Sequence, residues 1–141
     1  MGADRALLVA AAAGLGGIGI SVYLTIVHYA GIPLVCSTTG AVDCERVLSS
    51  GYAVIAGSGV PTSVAGIVWF SVSSILAATR LAGRSSPAMA RIHLIWAGIG
   101  LAIALVLVFV EIVQLGAICI WCTAAHALVL VTFLALLYGR R

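Results

Sequence analysis

Charge is what this sequence has least of. Of its 141 residues, seven are basic and four acidic, so charged side chains make up 8% of the chain while hydrophobic ones make up 63%. So little charge excludes a soluble domain with a conventional polar surface, and it leaves nothing for a nucleic acid to hold: no basic patch is interleaved with aromatics. Lysine is absent; every basic residue is an arginine, a usage that points to a GC-rich bacterial genome. A cleavable secretory signal is not expected either. The first apolar run extends beyond an h-region of roughly 7 to 15 residues, and no small-residue cleavage site precedes a polar mature sequence. The run therefore stays as a permanent span. The stretch "GLGGIG" inside it precedes no soluble strand-helix unit, which rules out a nucleotide fingerprint.

What remains is apolar sequence in runs of membrane-crossing length, about 20 residues each. They fall at about 6–29, 64–82, 92–113 and 117–138. The expectation is an all-α membrane protein, a four-transmembrane-helix bundle forming one integral membrane domain over 1–141. Arg5, Arg80, Arg84, Arg91, Arg140 and Arg141 flank one side of this drawing and only Arg46 the other, which places both termini in the cytoplasm of a bacterial inner membrane. Residues 83–91 form a short inner turn, 114–116 a tight outer turn, and 31–63 a long extracytoplasmic loop. A loop that long is functional or disordered, and the apolar run "YAVIAG" favours a half-buried segment capping the bundle. Ala13, Gly17 and Ser21, spaced by four, form a small-residue face for close helix packing.

This topology gathers all four cysteines on one side. Cys36 and Cys44 lie in the outer loop, and Cys119 and Cys122 open the fourth span as a CxxC. In an oxidising compartment such pairs support disulfide chemistry. A helix N-terminus favours the thiolate, the form that attacks disulfides and electrophiles. Residues three and four apart share a face, so Cys119, Cys122 and His126 are expected on one stripe running from water into the membrane. Cys119 then exchanges with a loop cysteine, while Cys122, a turn deeper, meets a lipid-soluble quinone that accepts two electrons and offers carbonyls to His126. Seven residues separate Cys36 from Cys44, whereas paired zinc ligands are usually separated by roughly two to four, so no metal is expected. His28 and His93 are read as interfacial, Glu111 as snorkelling to the outer surface in preference to serving as a proton acceptor near the quinone, and Trp121 as belt aromatic or pocket wall.

Three stretches, "VCSTTGAVDCERVLSSGYA", "GVPTSVAG" and "AICIWCTAAHALV", together resemble the vitamin K epoxide reductase (VKOR) family, over most of the chain. The resemblance implies a four-helix bundle coupling thiol oxidation to reduction of a quinone or quinone epoxide. It implies that Cys36 first engages the redox partner, that Cys44 pairs with Cys119, and that Cys122 faces the quinone. Ser49 or Ser50 corresponds to a hydroxyl near the quinone pocket. Vertebrate members carry a tyrosine and an asparagine where this chain has His126 and Thr62, so quinone binding is expected and epoxide reduction is not. Many bacterial members continue into a thioredoxin-like domain; this sequence ends at Arg141, so a separate partner protein is expected.

The combined expectation is a thiol:quinone oxidoreductase. It would reoxidise a separate periplasmic thioredoxin-fold thiol oxidase and pass two electrons to membrane-borne menaquinone or ubiquinone, sustaining disulfide formation. Its competitors are a vitamin K (epoxide) reductase of a eukaryotic endomembrane and a non-enzymatic four-span metal-binding membrane protein.

Overall fold

The computed structural model describes residues 2–36 and 39–139; Arg140 and Arg141, used in the orientation argument, lie outside them. Four helices are long and apolar enough to cross a membrane. They are α1 (Ala3–Ala30), α3 (Thr62–Leu81), α4 (Pro87–Phe109, continued by a π-helical turn Val110–Leu115) and α5 (Ile120–Tyr138), with a one-turn helix α2 (Cys44–Leu48) in the long loop. Among the described residues there is no β-strand, only isolated bridges. The all-α four-span expectation holds.

The span limits differ from the hydropathy reading for local chemical reasons. Helix α4 begins early because Ser86 caps it, its Oγ accepting from Met89 N–H at 3.1 Å, with Pro87 in the first turn. It runs to Leu115, past the expected end, and stops at Gly116, whose left-handed φ of 58° suits glycine. The fourth span starts late: residues 117–119 are extended, because Ile118 pairs with the loop at Val42.

Helix α1 packs mainly on α3 and α5 through the small-residue face: Ala13, Gly17 and Ser21 are all buried. A Cβ on Gly17 would fall on the Phe70 ring, and one on Gly14 on Ser74 Oγ, so these glycines let α3 approach. Between α3 and α4 two indoles hold each other's backbones. Trp69 Nε1–H donates to the Trp96 carbonyl and Trp96 Nε1–H to that of Trp69, each at 3.2 Å. His93 is not interfacial. It is fully buried in α4, its Nε2 3.5 Å from Ser73 Oγ and its Nδ1 3.3 Å from an Arg80 nitrogen. Helix faces that meet helices bury polar groups with partners, and hydropathy alone does not identify that face.

Candidate functional site

The long loop is built onto the N-terminal end of α5. Ile118 N–H donates to the Ala41 carbonyl at 2.8 Å and Asp43 N–H to the Ile118 carbonyl at 3.1 Å, so residues 41–43 lie beside 117–119 as one rung of parallel pairing. Asp43 then caps α2, its Oδ1 accepting from Arg46 N–H at 3.0 Å. A second tie is aromatic. Val35 N–H donates to Tyr23 Oη at 3.1 Å, Trp121 Nε1–H donates to the Val35 carbonyl at 2.9 Å, and the two rings meet with centroids 4.9 Å apart. Trp121 is thus a loop anchor, not a belt aromatic or a cavity wall. Tyr23 was not singled out by sequence; an aromatic at the outer end of a span reads as an interfacial residue.

These two ties bring the cysteines together. Cys36 and Cys44 form a disulfide, and Cys119 and Cys122 are free. Cys44 and Cys119 are both buried, in one cluster with Val47 and Ala117. Cys119 is the N-cap of α5, with extended backbone, and its Sγ accepts the Cys122 N–H at 3.3 Å. Its thiol is held below the ordinary thiol range, chiefly by the Cys122 side chain bonding to it. As an N-cap outside the helical repeat, Cys119 leaves the expected stripe and packs with the loop, while Cys122 and His126 continue the stripe inward.

Cys122 and His126 line a cavity of about 690 Å³ enclosed by α1, α3, α4, α5 and the loop, within the size of small-ligand sites, roughly 300 to 1,000 Å³. Its walls are mostly apolar, with Phe70, Trp69, Trp96, Ala104, Leu107 and Val129 among them. "YAVIAG" serves as a lid, contributing Tyr52, Ala53 and Ile55. Val68, Ile99 and Ile103 line the cavity yet are about half exposed, at 55%, 50% and 55%, so the space opens sideways between α3 and α4 toward lipid.

The remaining expected site residues separate clearly. Thr62 lines the cavity with its Oγ1–H donated to the Ala53 carbonyl at 3.1 Å, and Ser50 lines it with its Oγ–H donated to the Val47 carbonyl at 2.7 Å. Ser49 is exposed, is not among the lining residues, and caps the end of α2, so the cavity hydroxyl falls to Ser50. Glu111 corrects the sequence reading: it is 5% exposed, lines the cavity, and its Oε2 accepts the Cys119 N–H at 3.0 Å. It falls in step with His93, Ala97, Gly100 and Ala104, the buried face of α4, so helical spacing carries it inward. Among the described residues no group of three or more His, Cys, Asp or Glu side chains could hold a metal.

A dithiol with one thiol lining an apolar cavity that opens to lipid and the other packed beside a loop disulfide defines a membrane protein built for thiol redox chemistry. The Vitamin K epoxide reductase family model matches residues 8–137, nearly the whole described chain. The chain belongs to that family and is a multi-pass membrane thiol-dependent oxidoreductase. No curated protein matches the sequence.

Proposed function

We propose that the protein is a thiol:quinone oxidoreductase whose cysteine-bearing end faces the extracytoplasmic side of a bacterial inner membrane. There it reoxidises a separate thioredoxin-fold thiol oxidase, receiving that partner's electrons at Cys36–Cys44 and passing them through Cys119–Cys122 to a quinone. The observation that carries this reading is the split of the CxxC: Cys122 lines the cavity, whereas Cys119 is buried against Cys44.

Each step follows from ordinary thiol exchange. A partner thiolate attacks Cys36, which is partly exposed where Cys44 is buried, and a second partner thiol completes reduction of the loop pair. Freed Cys44 attacks Cys119 of an oxidised CxxC. Cys122 is released as a thiol, and Cys36 resolves the mixed disulfide. Cys119 leaves only in that second step, when Cys36 attacks Cys44, and its lowered thiol range suits it to that departure, because a more acidic thiol departs faster. The outcome is a loop disulfide with a CxxC dithiol, the arrangement in the structure. The dithiol then gives two electrons and two protons to a quinone and becomes a disulfide again. His126 donates to a ring carbonyl, Thr62 and Ser50 border the ring with their hydroxyl protons held by the Ala53 and Val47 carbonyls, and an apolar tail passes out between α3 and α4. A quinone suits the direction: a partner near about −120 mV needs an acceptor at least as oxidising, and each 30 mV is worth about 1.4 kcal/mol for two electrons.

The test is quinone reduction by purified protein, driven either by a reduced thioredoxin-fold partner or by a small dithiol. Cys36→Ala is expected to block partner-driven turnover and spare turnover driven by the small dithiol; equal loss with both would sink the relay. Turnover of a quinone epoxide would overturn the choice of substrate.

A further inference from the structure

The cavity holds one group that the thiol relay does not use, a buried carboxylate. An acidic side chain at membrane depth is costly unless it is paired or acts in proton transfer. Glu111 has only a partial explanation as structure. Oε2 accepts the Cys119 N–H at 3.0 Å, but Oε1 points toward His126, whose Nδ1 is 3.9 Å away. That separation is too long for a hydrogen bond and short enough for an ion pair. Nδ1 is itself buried and has no hydrogen-bond partner among the described residues. A buried ring nitrogen without a partner, aimed at a buried carboxylate in a shared cavity, is an arrangement that a proton completes.

We propose, resting on the quinone-reducing reading, that Glu111 takes the proton released by Cys119 and passes it through His126 to a quinone oxygen. The step balances as Cys119–SH and Cys122–SH plus quinone giving the Cys119–Cys122 disulfide plus quinol. The S–S bond forms, two S–H bonds break, and the two electrons move to the ring. The proton of Cys122, whose side chain faces the cavity, reaches one ring oxygen directly. Cys119 is fully buried and does not line the cavity, so its proton leaves through a neighbouring group. It goes to the carboxylate, which sits against the backbone of Cys119, then to His126 Nδ1, while the imidazole releases a proton from Nε2 to the other ring oxygen. Two further titratable groups line the cavity, His28 at the end of α1 and Tyr52 in the lid, and α3 contributes none. Glu111 is held in place by the Cys119 N–H that its Oε2 accepts.

The competing explanation is that Glu111 only accepts the Cys119 N–H, and Glu111→Gln separates the two because glutamine keeps that acceptor and loses the exchangeable proton. The measurement is single-turnover reduction of a soluble short-chain quinone by pre-reduced protein. Glu111→Gln is expected to lower the rate about a hundredfold, the low end of the 10²–10⁴ typical of general acid–base catalysis, with the quinone KM unchanged. A rate within about threefold of the parent would overturn the proposal. If Glu111→Gln does not fold, His126→Gln carries the test through the rate at saturating quinone, since His126 also holds the ring: a saturated rate lowered by more than about threefold supports the relay whatever the KM, and a smaller change overturns it. Where both fold, the double variant is expected to be no slower than either alone, and multiplied losses would also overturn the relay. If the parent protein reduces no quinone with any dithiol, the functional reading itself fails; if it does and Glu111→Gln matches it, only the relay fails.

Discussion

Replacing Gly100 by alanine tests whether the cavity is held open by the packing described. A Cβ on Gly100 falls on the Trp69 indole, against Cε2, Cζ2 and Nε1, far inside the contact distance of about 3.5–4.0 Å between carbon atoms. Gly100 is buried in the middle of α4, where the backbone cannot retreat, so the ring must shift. Forcing a methyl into a packed interior costs about 1–3 kcal/mol. Moving the ring also disrupts the 3.2 Å bond from Trp69 Nε1–H to Trp96, worth about 0.5–1.5 kcal/mol net. The expected destabilisation is therefore about 2–4 kcal/mol, combining the two contributions. Trp69 also lines the cavity, and space to yield is available on that side, so part of the strain is relieved by intrusion of the ring. A quinone that must push the indole back loses that relief, at most about 1–3 kcal/mol, which is up to roughly five- to 150-fold in apparent affinity. Thermal unfolding in detergent reads the first effect and the quinone KM in dithiol-driven turnover the second. An unfolding temperature and a KM both equal to those of the parent protein would refute the packing argument.

Trp121→Phe keeps a ring against Tyr23 and removes the donor to the Val35 carbonyl; the bond is solvent-exposed, so the expected loss is at most about 1 kcal/mol. It should slow partner-driven turnover several-fold while leaving the quinone KM unchanged, and a change confined to KM would contradict the anchoring role. Gly17→Leu should prevent close approach of α1 and α3 by colliding with Phe70, seen as loss of folded, monodisperse protein in detergent; normal yield would contradict it. For pH, the depressed Cys119 thiol keeps its thiolate as pH falls below the ordinary thiol range, about 8.5. The reverse attack of Cys119 on the loop disulfide should therefore persist below that range and fade only as pH drops through the lowered value. Cys122→Ala, which removes the chief cause, should move that fade to higher pH, as followed by stopped-flow trapping; an unmoved profile would contradict the assignment.

The four spans were legible because apolar runs of membrane length leave little choice of element, and the small-residue face of α1 was legible because its spacing is local. The misreadings share a cause. Glu111 lies near the outer end of its span, where position along the chain suggests the surface, yet it shares the face of α4 that carries the buried Ala97, Gly100 and Ala104 and so lines the cavity. His93 lies near a helix end in sequence, and its burial depends on which face meets α3. Residues 117–119 look like helix by composition but are extended because a loop some 75 residues earlier pairs with them, a contact without a local signal. The same pairing leaves Cys119 outside the helical repeat while Cys122 stays within it, so the spacing of the CxxC revealed its chemistry but not which thiol lines the cavity. The adjacent Ser49 and Ser50 were indistinguishable until the turn after α2 placed one at the cavity and the other in solvent.

The division of the CxxC is tested most directly by mapping disulfides, under non-reducing conditions, in a Cys122→Ala variant exposed to mild oxidant. With the cavity-facing thiol gone, Cys119 has the loop as its neighbour, and peptide mass spectrometry is predicted to find Cys119 joined to Cys44 with Cys36 released. Cys119 joined to Cys36, or Cys122 trapping Cys44 just as readily in a Cys119→Ala variant, would contradict the account.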